Sequence, residues 1–412
     1  MFSATVIKFN NLLKTYNEIY TSVPFFRFVN STEGLGLDYL KEFYKLILDV
    51  EEDSIQRFLN SSVVFYLTKD YSINDIFNPN YFNLLYKFVV DSDKIAIYST
   101  EYEVFDKIFI KVFGANKLTE GLYKLENKNY RVIKNENGIF LNMEPIEADI
   151  DERYLLTGST KNIFNANEDW NFYITVEDRT LVITFESNNY GSNKKIFNLS
   201  QLDNKVLFGE TLNIEMLEKN AFFSYFNKFM LPLDKETEES VHFINEIIEK
   251  EEFVVVNSRG ITNEELCLFF EAPLDKEKID KFALERNLPK GEIGSYYFYQ
   301  FSSEISGDVV YLYISEDDFI FSNVEPKKVN TYFSQLPRLK NTSYYKIVEE
   351  KEKLFNFFVL NLTQYLSNNF YASLDSFIVR EEFPINNNYI IVIYWKFFSN
   401  NKTVQRSIKI VR

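Results

Sequence analysis

A chain of 412 residues with 46% hydrophobic and 17% aromatic content carries enough apolar surface for two or three packed cores, which excludes a disordered or low-complexity polymer. The formal charge is −15 and the lysines are scattered among acids, so there is no basic footprint for nucleic acid or for an anionic membrane surface. One cysteine and one histidine exclude a disulfide framework, thiolate clusters and histidine-rich metal sites, while 42 Phe and 28 Tyr against 12 Gly favour strands.

Residues 4–60 read as helical: KFNNLLKTYNEIY, LDYLKEFYKLILDV and EDSIQRFLN each repeat apolar residues at a spacing of three or four. SSVVFYLTKD (61–70) and, after a polar connection, KIAIYS (94–99) read as strands, and EVFDKIFIKVF (103–113) as a helix. GLYKLE (121–126), YRVIK (130–134) and GIFLNM (138–143) then predict a meander, with Asn137-Gly138 as a type I′ turn. Glu144-Pro145 predicts a helix start, since proline suits a first helical turn. Residues 170–198 predict three more antiparallel strands, the first turn lying inside ITVEDRTLVIT.

The order then returns. NIEMLEKNAFFSYFNKF and EESVHFINEIIEK read as helices, EEFVVVNSR and ELCLFFEAP as a strand pair, and IDKFALERN (279–287) as a helix aligned with FDKIFIKVF (105–113). YYFYQF, VVYLYIS and DFIFSN repeat the meander, PKKVNTYFSQL the helix after the proline, and IIVIYWKFFSNNKTVQRSIKI the shape of LVITFESNNYGSNKKIFNL. Laid together without a gap, YRVIKNENGIFLNMEP (130–145) and YLYISEDDFIFSNVEP (311–326) agree at seven of sixteen positions. A fixed order of elements met twice predicts an internal duplication. The expected fold is α+β, with halves at residues 1–200 and 205–412, each an antiparallel sheet with helices packed on one face.

This order of elements, with the YxxI…IF.N.EP hairpin in both halves, resembles a bacterial family of proteins of unknown function that are usually exported or membrane-anchored and share a helix-plus-meander unit. The resemblance implies an extracytoplasmic envelope protein with no assigned chemistry and brings no catalytic residues; the expected role is non-enzymatic, structural or binding an unknown protein or small molecule. No run reaches the ~18–20 apolar residues of a membrane span. MFSATVIKFNNLLKTYNEIY lacks the basic start and continuous apolar core of a signal peptide. An extracytoplasmic place therefore requires a removed signal or anchor; with Met1 as the native start, a cytoplasmic partner-binding protein is the expectation.

Candidate chemistry is sparse. There is no phosphate-binding loop, no zinc spacing and no G-x-S-x-G elbow to receive His242, and Cys267 inside LCLFF reads as a small buried hydrophobe. Asp149, Asp151 and Glu152 lack a calcium-loop frame and read as first-turn acids that offset a helix dipole. Glu316, Asp317 and Asp318 sit at a hairpin tip and read as turn formers, although a carboxylate pair there would suit a hydrolase with a cleft between the halves. No catalytic, metal or cofactor-binding residue is expected. The aromatic runs at 296–301 and 389–398 must present rings on both faces of their strands, so Tyr297, Tyr299, Tyr394 and Trp395 form the candidate binding surface, with the sister half as its other expected cover.

Overall fold

TVIKF alternates buried and half-buried side chains, and in the computed structural model Thr5–Phe9 is strand β1, paired antiparallel with Ser62–Leu67 on one side and Leu156–Thr160 on the other. The structure describes residues 5–23, 26, 47–71, 73–76, 80–161, 169–188, 196–199, 211–216, 253–262, 265–271, 275–302, 309–315, 318–333, 338–342, 345–348, 353–361, 376–385 and 388–397. They belong to two units, residues 1–190 with 387–412, and residues 191–386. Both are mixed α+β with antiparallel sheets.

In the first unit β1 is followed by α1 (Leu12–Thr15) and a π-helical turn (Tyr16–Tyr20), then α2 (Glu52–Leu59), β2 (Ser62–Leu67) and α3 (Ile73–Ile76). Next come α4 (Tyr81–Asp91), β3 (Ser92–Tyr98), α5 (Tyr102–Lys107) and a second π-helical turn (Ile108–Val112). The remaining strands are β4 (Asn116–Thr119), β5 (Leu122–Leu125), β6 (Lys128–Asn135), β7 (Gly138–Leu141), β8 (Leu156–Thr160), β9 (Trp170–Glu177) and β10 (Thr180–Ser187). In space they run β4-β5-β6-β7-β3-β2-β1-β8-β9-β10, every neighbour antiparallel, and Asn388–Phe397 from the end of the chain pairs with β10.

Two short elements show how the sequence sets this frame. Asn135 lies opposite Gly138, so the turn of the β6–β7 hairpin is Glu136-Asn137, one residue earlier than Asn137-Gly138 suggests. The Asn135 side chain accepts the Asn137 N–H at 3.1 Å, and neither turn residue has positive φ, so the turn is not type I′. Gly138 is needed for another reason: at φ +145° a Cβ would stand 2.3 Å from the Ile97 carbonyl oxygen of β3. The type I′ conformation occurs instead between β9 and β10, where Asp178 and Arg179 take φ 44° and 60°.

Three further expectations fail in this unit. The first predicted helix opens with a strand, because the period of two in TVIKF precedes the helical spacing that begins at Leu12. The polar connection after residue 70 contains α4, whose Asn80 cap accepts the Asn83 N–H at 3.1 Å. No helix follows Pro145; residues 142–155 instead run as an irregular connection tied to the sheet face opposite the helices. There Tyr98 donates to the Glu147 carbonyl at 3.3 Å, and the Lys8 ammonium reaches the Asp149 carboxylate at 3.0 Å. Of the acids read as first-turn caps, Asp149 is thus bound by Lys8 of β1 and Asp151 by Arg153.

The second unit comprises β11 (Phe197–Asn198), β12 (Thr211–Met216), β13 (Phe253–Thr262), β14 (Glu265–Glu271), α6 (Lys276–Glu285), β15 (Lys290–Ile293), β16 (Tyr296–Ser302), β17 (Val309–Ile314) and β18 (Asp318–Ser322). After these come α7 (Pro326–Phe333), α8 (Tyr345–Val348), β19 (Lys353–Leu354), β20 (Asn356–Asn361) and β21 (Ser376–Ile385); Asn388–Phe397 is β22. Its main sheet runs β15-β16-β17-β18-β14-β13-β12-β20-β21, again antiparallel throughout. Pro326 does begin a helix, and Val329 of α7 packs with Tyr313 and Ile320.

The expected helix at NIEMLEKNAFFSYFNKF opens inside β12, the same misreading as at β1. Of the third strand of the 170–198 set, the described residues form β11, which pairs with β19. The remainder of that first helix, EESVHFINEIIEK with His242, and Glu316 and Asp317 lie outside the described residues.

Candidate functional site

Inward side chains of β2, β3 and β7 lay down an apolar floor in the first unit: Val63, Phe65, Ile95, Ile97 and Leu141. Facing it are Ile55 and Phe58 of α2, and Phe82, Leu85 and Val89 of α4. Phe105 of α5 and Ile108, Phe109 and Val112 of the adjoining π-helical turn complete the roof. These surfaces do not meet fully. They leave a cavity of about 130 Å³ whose wall presents no polar atom.

The cavity's position follows from helix ends. Asp49 takes φ +51° just after Leu48, and the Lys107 and Lys111 ammonium groups each donate at 2.6 Å to the carbonyls of Asp49 and Ile47. Leu48, which lines the cavity, is thereby held beside the π-helical turn. Such turns widen the helix locally and recur at functional sites.

Polar side chains in both units form closed sets. Asp91 accepts from the Tyr71 hydroxyl and the Lys69 ammonium, both at 2.7 Å. Asp106 accepts from Tyr123 and Lys134, also at 2.7 Å. Asp280 accepts from Tyr299 and faces Lys290 at 3.5 Å. Burial first, then the bond to the carboxylate, pushes the Tyr71, Tyr123 and Tyr299 hydroxyls far above their ordinary range, so they stay protonated as donors. Burial alone would raise Asp91, but its bonds to Lys69 and Tyr71 outweigh that and hold it below its usual value. These sets pin strands to helices and loops.

The four aromatic candidates divide between the units. Tyr297 is half-buried in β16 with the Lys290 ammonium 4.6 Å from its ring centre, and Tyr299 is buried with its hydroxyl bound to Asp280. Tyr394 and Trp395 are half-buried in β22; Tyr394 stands opposite Val182, and Trp395 lies edge-on to Phe26 at 5.5 Å. Cys267 occupies a backbone position of β14 between Arg259 and Ser322, and Asp318 begins β18. Among the described residues no cluster of His, Cys, Asp and Glu is placed to hold a metal ion, and no helix is long and apolar enough to cross a membrane.

Sequence reading missed the cavity. Its signal is present in YFNLLYKFVV (81–90), overlooked as a polar connection, and in FDKIFIKVF, read simply as a helix. A gap between apolar elements depends on how they pack and leaves no spacing pattern of its own. No protein-family model, curated protein or solved structure matches the chain.

Proposed function

We propose that the protein is a non-enzymatic binding protein of the cell envelope, built from two copies of one α+β unit. The observation that carries binding is the cavity: a sizeable space with no polar group on its wall can hold a molecule and offers it no acid, base or nucleophile.

Strand order supports the duplication. The series β4-β5-β6-β7-β3-β2-β1-β8-β9 corresponds one for one with β15-β16-β17-β18-β14-β13-β12-β20-β21. Asp106 and Asp280, each in an apolar-Asp-Lys triplet of the helix before the meander, both accept a tyrosine hydroxyl and face a lysine. Aligning Ser187-Asn188-Asn189 with Ser399-Asn400-Asn401 makes Val182 the counterpart of Tyr394, and these two residues face each other where β10 and β22 pair. The last strand of the second copy then completes the sheet of the first unit.

The envelope location rests on the resemblance seen in the sequence. Cell fractionation tests it, and recovery of the native protein only from cytosol overturns it. Binding is tested by melting the full chain against hydrocarbons, fatty acids, sugars, peptides and nucleotides. At least one class is expected to raise Tm with the logarithm of its concentration; no response to any class refutes the binding reading.

A further inference from the structure

Resting on that binding reading, we infer that the cavity of the first unit takes up an uncharged hydrocarbon group, either a single small ring or the end of an alkyl chain. Its wall offers only aromatic and aliphatic carbon. A ligand group carrying a donor or acceptor would surrender its water partners there and gain none, which disfavours sugars, nucleotides and charged head groups at this site.

Size narrows the class further. At about 130 Å³ the cavity is close to the ~150 Å³ apolar voids that stay dry and admit benzene or xenon. It is too small for a whole lipid or a fused-ring molecule, so a larger amphiphile would insert only its tail.

Access is also visible. Phe82 and Phe113 line the cavity yet are half-buried, their rings 6.4 Å apart, and Tyr86 contacts Phe113 at 6.0 Å. These rings stand where the apolar wall reaches the surface, between α4 and the residue that ends the π-helical turn. Rotation of exposed or half-exposed side chains is fast, and the stacked Phe82 and Phe113 rings can part without unfolding either helix. The π-helical turn itself contributes three lining residues, Ile108, Phe109 and Val112.

The test uses the full chain, with benzene and n-hexane as probes and thermal melting plus calorimetric titration as readouts. Wild type is expected to melt higher with either probe. Val112→Phe, which puts a ring into the space from a half-buried position, is expected to melt no lower than wild type without ligand and to bind the probes at least tenfold more weakly. Leu284→Ala, at a strongly exposed position of α6, serves as the control that keeps the wild-type response.

If Val112→Phe does not fold, Val89→Phe fills the same space from α4, and xenon uptake by wild type followed by xenon NMR supplies a second readout. Equal probe binding by wild type and the filled variant overturns the inference. So does a panel in which another ligand class raises Tm and hydrocarbons do not, although the binding reading then stands; if no class responds, both fall.

Discussion

Tyr71→Phe removes a single hydroxyl from the Asp91 set and leaves nearly everything else in place. The ring keeps its edge contact with Phe88 at 5.3 Å and the Lys87 ammonium 5.1 Å from its centre. The backbone stays anchored as well: the Tyr71 N–H donates to Thr5 Oγ1 at 3.2 Å, and Thr160 Oγ1 donates to the Tyr71 carbonyl at 3.3 Å. What is lost is a 2.7 Å bond to a carboxylate on a residue only 8% exposed. Hydrogen bonds to charged groups contribute about 1.5–3 kcal/mol, and the variant should lose that much at pH 7. For a unit of this size the loss corresponds to roughly 4–10 °C in Tm.

The pH dependence is the sharper readout. Asp91 is held below its unfolded value, so its contribution is complete above the unfolded carboxylate pKa of ~3.9 and fades as pH falls through the folded value. Urea melts of wild type and variant at neutral pH and in acid should therefore diverge at pH 7 and converge at low pH. A variant as stable as wild type at pH 7, or a deficit that persists unchanged in acid, refutes the assignment of a charge-assisted bond.

Gly138→Ala should cost about 3 kcal/mol or more in chemical denaturation, since its Cβ would meet the Ile97 carbonyl at 2.3 Å and the residue sits at φ +145°. Asn142, at φ +54°, accepts the Arg131 N–H at 2.7 Å and donates to the Asp93 and Asn129 carbonyls at 3.1 and 3.2 Å. Asn142→Ala should lose about 2 kcal/mol, with Asn142→Gly recovering part of it because glycine tolerates that φ. Tyr123→Phe and Tyr299→Phe should each lower stability by about 1–3 kcal/mol, measured by urea unfolding, if the two tyrosine–aspartate contacts are equivalent. Burial raises Tyr20, Tyr81 and Tyr130 well above 10, so their contribution is intact below the unfolded pKa and lost as pH climbs above it. An absorbance titration should show these phenols ionising only together with loss of far-UV dichroism.

What the sequence made legible was local. The meander strands, the α5 and α6 helices and the helix start at Pro326 lie where alternation, helical spacing and proline geometry place them. What it hid depended on distant chain. Glu144-Pro145 and Glu325-Pro326 are the same dipeptide, but only the second opens a helix; after the first, Lys8 and Tyr98 bind the following backbone to strands β1 and β3. β1 and β12 were obscured alike, because each is a short strand running into apolar residues at helical spacing. The cavity was least legible of all, being a property of the space between elements that were themselves mostly recognised.

Under the duplication reading, the positions where the copies differ indicate which unit carries the activity. The hairpins keep Ile139/Ile320 and Phe140/Phe321, but the pair Ile95–Leu141 on the cavity floor corresponds in register to Cys267–Ser322. Ser322 is fully buried, and its hydroxyl accepts the Val324 N–H at 3.0 Å, so a hydrogen bond holds the end of β18 at the place where the first unit has Leu141. A buried hydroxyl with a partner is stable, but it breaks the continuous carbon wall that a hydrocarbon requires. The shared residues therefore maintain the frame. If the proposed binding reading holds, the aliphatic pair of the first unit is what keeps the cavity floor there free of polar groups, and a hydrocarbon is expected to bind in that unit.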